Sequence, residues 1–413
     1  MKKRVVVTGA GVISPIGNDV HTFWSNLING VSGVGKITSY DVSELPVRIA
    51  AEVKDFDAGQ WISPKDAKRM DKVTQFGIAA SEQALRDSGL LDSDIHPERV
   101  GVIVGSGIGG IHTLEHNHSI LITKGCRFVS PLFVPMMIPD IVPGQIAINH
   151  GFMGPNYSVT SACATSSHTI GIAMQHILMG DADVVVTGGT EASITPLAVA
   201  GFTNMKALSK RNDEPKKASR PFDLQRDGFI IGEGAGIVIL EELEHAVKRG
   251  AKIYAELTGY GFSADAHHIT APHPEGKGAA LAIEAAIRMS GIPKKDYGYI
   301  NAHGTSTQLN DKYETLAVKS VFGQQAYELN ISSIKSMTGH LLGAAGAIEF
   351  IALCFSLQHQ IIPPTINYEE PDPDCDLCYT PNKAIKKTFT AGLSSNFGFG
   401  GHNAVLAAKI FES

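Results

Sequence analysis

Cys163 lies in Thr160-Ser-Ala-Cys-Ala-Thr-Ser-Ser-His168, directly ahead of a helical pattern over 166–179. A thiol at a helix N-terminus faces unsatisfied backbone N–H groups and the positive end of the helix dipole, and both favour the thiolate. Such placement draws a cysteine pKa from about 8.5 down to roughly 3.5–7.5, so the segment predicts a nucleophile. A cysteine packed among Ala and Ser is also a common core residue, and two histidines tip the balance. Asn301-Ala-His303-Gly-Thr-Ser-Thr307 follows a strand pattern, and Lys335-Ser-Met-Thr-Gly-His340 opens a helical one. One thiol with two loop-borne imidazoles points to covalent catalysis in which the histidines polarise a carbonyl or move protons.

Those three groups need a framework to deliver them. Short β-branched runs predict strands at 4–8, 100–105, 182–188, 236–240, 254–261 and 297–302. Helical patterns cover 73–88, 166–179, 241–249, 278–290 and 343–358. The alternation predicts an α/β protein with largely buried sheets. A weak repeat runs beneath it. The helix ending AASEQALRDSGL precedes the strand that closes on Gly105-Ser-Gly, and LAIEAAIRMSGI precedes the strand that closes on His303-Gly-Thr. Each helix ends in Ser-Gly, a C-cap signal, and the second helices of the two units follow Cys163 and His340. Two similar halves are expected, 1–250 and 251–413, packed as one unit.

Composition bounds the function. The 413 residues carry 35 basic and 41 acidic side chains, a net charge of −6, which argues against nucleic acid as partner. A charged share of 18%, below the usual level of about 25%, argues for a compact chain with much buried surface. Five cysteines do not make a disulfide scaffold. No run of about 18 apolar residues predicts a membrane span, and the apolar start breaks at Thr8-Gly9, too early for a signal peptide. A cytoplasmic protein beginning at Met1 is expected. Three motifs read as coincidences. Gly105-Ser-Gly-Ile-Gly-Gly110 fits G-x-G-x-x-G but lacks the acidic residue a dinucleotide ribose needs. His112-Thr-Leu-Glu-His116 lacks a third ligand, and Cys375-Asp-Leu-Cys378 lacks a second pair. Neither metal nor cofactor is expected.

Taken together, the motifs resemble the β-ketoacyl-acyl-carrier-protein synthases, in particular the elongating class of type II. The resemblance rests on TSACATSSH around Cys163, NAHGTST around His303, KSMTGHLLGAAGA from Lys335, and the loop Asn396-Phe-Gly-Phe-Gly-Gly-His-Asn403. It runs in order over essentially the whole chain. It implies the thiolase fold, two similar α/β halves layered as αβαβα, and a homodimer. It implies a decarboxylative Claisen condensation: Cys163 takes an acyl chain, and His303 and His340 polarise a malonyl thioester as carbon dioxide leaves. By the same resemblance the N–H groups of Cys163 and Phe399 form an oxyanion hole, and Lys335 and Glu349 pair beside the histidines. Thr305 and Thr307 hold the phosphopantetheine arm, and Ile108 ends the acyl pocket, with flanking glycines giving it freedom to swing. The implied partner is an acidic acyl carrier protein, which a net-negative chain must meet with a local basic patch, either Lys65, Lys68 and Arg69 or Lys206, Lys210 and Arg211 before Arg220. Gln308 and His402 depart from the family's commonest residues and bear on fine specificity. Thiolases would need a second catalytic cysteine, and a chain-length-factor partner would lack Cys163. Polyketide condensing enzymes, whose chemistry is identical, remain the main alternative.

Overall fold

The computed structural model describes residues 3–412. Ten strands form its main sheet: β1 (Val5–Ile13), β2 (Val100–Gly105), β3 (Asn156–Tyr157), β4 (Val184–Glu191), β5 (Gly234–Glu242), β6 (Ala255–Ala264), β7 (Tyr297–Asn301), β8 (Asn330–Ser332), β9 (Ala391–Gly398) and β10 (His402–Lys409). Their order is β8-β7-β9-β10-β6-β1-β5-β4-β2-β3. The central joint, β6 to β1, is a short antiparallel ladder of Val5, Val6 and Val7 on Leu257, Glu256 and Ala255. Outward from it the pattern is the same on both sides. β1-β5-β4 are antiparallel and β4-β2-β3 parallel, while β6-β10-β9 are antiparallel and β9-β7-β8 parallel. Strand for strand, the second half repeats the first.

Six helices matter here: α1 (Lys72–Ser88), α2 (Ile111–Lys124), α3 (Thr165–Met179), α4 (Lys277–Ser290), α5 (Gln308–Phe322) and α6 (Ala345–His359). α1 covers β1 and β5 from outside and α4 covers β6 and β10, while α3 and α6 lie between the halves and touch strands of both. The result is the layered αβαβα arrangement. Burial on every side explains α6. The segment Leu342–His359 has the length and mean hydropathy, 1.3, of a membrane span, yet 89% of it is buried inside the protein. A helix apolar all round belongs in a core. Close approach explains Gly11 and Gly261, one in β1 and one in β6. A Cβ on Gly11 would meet Ala80 O at 2.0 Å, and one on Gly261 would meet Ala282 O at 2.0 Å.

That contact corrects the first predicted strand. Gly9 and Gly11 do not end β1; they let α1 press against it, and the strand continues to Ile13. The helix expected at 241–249 starts late, because β5 runs on through Glu242 and the helix is Leu243–Lys248. β9 went unpredicted because AGLSSNFG carries little β-branched signal, and its Ser394, Ser395 and Asn396 are buried polar residues.

Candidate active site

Both central helices start from a one-turn 3₁₀ segment, Ala162–Ala164 before α3 and Leu342–Ala344 before α6. Each turn begins on a non-glycine residue in the left-handed region, Ala162 at φ 50° and Leu342 at φ 47°. Such backbones cost of order 1–3 kcal/mol and persist where the surroundings over-determine them. Cys163 follows the first strained residue, and His340 stands two residues ahead of the second. The turns open on one cavity of about 670 Å³, lined by Cys163, His303 and His340 together with Ile108, Thr305, Thr307 and Phe399. Lys335 and Glu349 stand behind the lining as a buried pair, Nζ to Oε1 2.5 Å, each side chain 1% exposed.

The histidines are neutral donors. Desolvation, and then the nearby Lys335 charge, hold both well below the usual 6.5. Lys335 Nζ lies 3.4 Å from His303 Nδ1, and the Leu342 N–H donates to His340 Nδ1 at 3.3 Å. With each Nδ1 accepting, the ring proton is assigned to Nε2 in both. The rings stand 5.4 Å apart at 86°. Two Nε2–H donors in a water-poor cavity can stabilise an oxygen that gains negative charge, with no metal and no proton transfer.

Cys163 departs from the sequence expectation. Burial pushes its thiol up to about 12, with Lys335 and the Phe399 N–H pulling the other way. Desolvation outweighs the helix terminus, so the resting group is a thiol. A net acyl transfer still balances, because the proton lost by Cys163 is the one a departing thiolate needs.

Three supporting residues escaped the sequence reading. The N–H groups of His303 and Gly304 both donate to the Glu314 carboxyl, at 2.8 Å and 2.8 Å, and burial pushes that carboxyl up to about 7. Asn396 donates to Glu349 Oε2 at 2.7 Å and accepts from Ser167 Oγ at 2.6 Å. Glu191, fully buried at the end of β4, accepts from the Gly107 and Gly343 N–H groups at 2.9 and 3.0 Å. Remote single residues of this kind leave no local pattern, although Asn396 lies inside the loop already singled out.

Other expectations fall differently. Close approach is a second reason for the glycines beside Ile108: a Cβ on Gly107 would meet Glu191 Oε2 at 2.7 Å, and Gly109 sits at φ +80° with Met137 O 2.8 Å from its Cβ position. Lys65, Lys68 and Arg69 are exposed around the short helix Pro64–Ala67. In the second basic cluster Lys206 and Lys210 are exposed and Arg211 is half-buried. Lys206 also lines the cavity, and Arg220 is buried against Asp223 at 2.8 Å. Gln308 lines the cavity at the start of α5, and His402 is exposed at the start of β10. Among the described residues no group of three His, Cys, Asp or Glu is placed to hold a metal ion.

Comparison with known proteins identifies the family. Residues 2–246 match the family described as beta-ketoacyl synthase, N-terminal domain, and residues 254–369 match its C-terminal domain. A Synechocystis protein named 3-oxoacyl-[acyl-carrier-protein] synthase 2 is 50% identical over 411 residues, spanning 100% of this chain and 99% of its own. A Staphylococcus aureus protein of the same name is 51% identical over 411 residues with the same coverage. Among solved structures, a beta-ketoacyl synthase from Burkholderia phymatum superposes with a TM-score of 0.92 at 34% identity, over 99% of this chain and 100% of its own. A type II polyketide ketosynthase complex with its acyl-carrier protein superposes with a TM-score of 0.92 at 37% identity, over 100% of both chains. With both family halves matched in order and half of all residues shared over the full length, the chain belongs to the β-ketoacyl synthase family.

Proposed function

We propose that the protein elongates acyl chains by two carbons in fatty acid synthesis, condensing malonyl-carrier with an acyl group held on Cys163. The observation that carries this is one cavity presenting a buried thiol and two neutral imidazoles whose Nδ1 atoms are both occupied. In the first half-reaction Cys163 Sγ attacks the acyl-carrier thioester, the N–H groups of Cys163 and Phe399 receive the developing oxyanion, and the thiol proton leaves with the carrier thiol. Malonyl-carrier then enters past Thr305 and Thr307, whose hydroxyls pair at 2.9 Å at the cavity wall. Loss of carbon dioxide leaves an enolate, stabilised by Nε2–H of His303 and of His340. The enolate carbon attacks the acyl-Cys163 carbonyl, and the expelled Cys163 thiolate takes up a proton to reset the site. Lys335 and Glu349 order His303.

The partner in this reading is an acyl carrier protein, docking at Lys65, Lys68 and Arg69. The chain acts as a homodimer. Its sheet ends on the two-residue edge strand β3, and Met153 and Ile148 in the preceding segment are exposed at 71% and 73%; an unpaired edge strand with exposed apolar side chains close by in sequence is suited to cover by a second copy. The halves divide at 250/251, and the enzyme works in the cytoplasm. Fatty acid synthesis is the reading supported by full-length identities of 50% and 51% to two proteins named 3-oxoacyl-[acyl-carrier-protein] synthase 2. Mass spectrometry after mixing with acyl-carrier tests the reading: a thioester on Cys163, lost in Cys163→Ala, is expected, followed by a two-carbon-longer product once malonyl-carrier is added. A protein that remains unacylated would refute it.

A further inference from the structure

The G-x-G-x-x-G loop after β2 cradles an anion, but the anion belongs to the protein. Glu191 Oε2 accepts from the Gly107 N–H at 2.9 Å, and Oε1 accepts from Ser106 Oγ at 3.1 Å and, more weakly, from the Ile108 N–H at 3.4 Å. Ser106 Oγ in turn accepts from the Gly109 N–H at 3.0 Å, so successive loop amides converge on one carboxylate directly or through one hydroxyl. Phosphate-binding glycine loops present their N–H groups in the same way. Two further donors complete the shell, Ser193 Oγ at 3.0 Å and the Gly343 N–H at 3.0 Å. Gly343 lies in the turn between His340 and α6, in the other half of the molecule. The contact leaves no spare room: a Cβ on Gly343 would meet Gly107 N at 2.3 Å and Glu191 Oε2 at 2.8 Å.

We propose that Glu191 is a positioning residue for the condensation, an internal anion that fills the glycine loop and clamps the acyl-pocket wall at Ile108 to the turn that carries His340. The inference rests on the condensing reading above. Burial pushes the Glu191 carboxyl up from its usual range, and the Gly343 N–H, the Ser193 and Ser106 hydroxyls and the Gly107 N–H pull it back; among the described residues no basic side chain bonds it, so these donors alone offset the cost of burying it. What the arrangement supplies is register between two parts of the cavity that arise in different halves: the wall that an acyl chain presses on, and the imidazole that stabilises the enolate.

Glu191→Gln separates the two contacts. If the amide oxygen stays on the Gly107 and Gly343 N–H groups, the NH₂ falls on the opposite side. There the Ser106 and Ser193 hydroxyls can turn to accept, but the Ile108 N–H cannot. The wall is freed and the His340 turn stays held. The experiment measures Cys163 acylation by six- and sixteen-carbon acyl-carriers, and malonyl-carrier decarboxylation, in wild type, Glu191→Gln and Ser106→Ala. Expected in Glu191→Gln is a rise in the sixteen-to-six ratio of at least about fivefold, equivalent to about 1 kcal/mol at 1.36 kcal/mol per decade, with decarboxylation within about twofold of wild type. Ser106→Ala, which removes one loop contact, should shift the ratio the same way by less. An unchanged ratio in both variants, or a loss equal at both lengths and in both half-reactions, overturns the inference and leaves Glu191 as packing. A wild-type protein that takes no acyl chain would instead sink the condensing reading and the inference with it.

Discussion

Replacing Lys335 separates two roles that one side chain combines. Its partner Glu349 is 1% exposed, so Lys335→Ala leaves a carboxylate without its cation in a dry site. Breaking such a pair typically costs about 3–5 kcal/mol, a large part of a domain stability of about 5–15 kcal/mol. The same change removes the group 3.4 Å from His303 Nδ1. The ring can then carry its proton on Nδ1 and present a bare Nε2 to the enolate, which forfeits one of two donors. Loss of one preorganised donor costs about a hundred- to a thousandfold in rate. The double variant Lys335→Met/Glu349→Gln removes both charges, and well-packed neutral replacements of buried pairs are commonly neutral or stabilising. It should therefore recover most of the urea midpoint while decarboxylation of malonyl-carrier stays at least about a hundredfold down, because Met gives Nδ1 no donor. Urea unfolding and carbon dioxide release, measured on the same preparations, read the two effects apart. Recovery of decarboxylation in the double variant would show that Lys335 serves only to neutralise Glu349, and the tautomer argument would fall.

Ile108→Phe adds bulk to the cavity wall at a side chain that is 39% exposed in the single chain, so only an acyl chain long enough to reach it meets the larger ring. Acylation by sixteen-carbon chains should slow roughly ten- to a hundredfold with six-carbon chains nearly spared, and equal slowing at both lengths would remove Ile108 from the pocket's end. Charge reversal at Lys65 and Lys68 should raise KM for carrier-linked substrates and leave acyl-CoA reactions unchanged, whereas a matching rise for both would end the docking role. Unfolded histidines ionise near 6.5 while His303 and His340 stay neutral well below it. The unfolded state therefore takes up protons first, and stability falls as pH drops below about 6.5, by up to about 1.4 kcal/mol per unit for each histidine. Glu314, raised to about 7 from 4.5, tilts stability the opposite way over that interval. Urea midpoints from pH 5 to 7 should accordingly decline less steeply toward acid in His303→Gln/His340→Gln, with His168 and His359, also lowered by burial, keeping the rest of the slope; an unchanged slope would mean the two rings are not buried neutral.

Chemistry-bearing turns were legible in the sequence because each is local. TSACATSSH, NAHGTST and KSMTGH each place a reactive group next to glycine or small residues at an element boundary, and the structure brings all three to one cavity. The duplication was legible too, since Ala-rich helices ending in Ser-Gly recur at matching places. What escaped depends on distance along the chain. Glu191 meets Gly343 across 152 positions, and no periodicity encodes such a contact. The direction of the Cys163 shift escaped for another reason: a helix terminus is visible in sequence, whereas full desolvation depends on everything packed around it. The buried polar strand β9 was missed because its serines and Asn396 answer to the site rather than to strand propensity.

The duplication of strands also makes the two halves unequal in a definite way. β4 and β9 occupy matching places, and each is eight residues long, so Glu191 in one corresponds to Gly398 in the other. The turns they face correspond as well, Gly343 in one and Cys163 in the other. Where the first copy sends a carboxylate onto the Gly343 N–H, the second offers only Gly398, whose missing Cβ would stand 3.2 Å from Cys163 N. The matching place in the second half has no room for a side chain, since a Cβ on Gly398 would also meet Ser161 O at 2.7 Å, so no carboxyl group reaches the Cys163 N–H from there. Under the proposed condensation the Cys163 N–H serves the transient oxyanion, a role that the Glu191 carboxyl group closes to the Gly343 N–H.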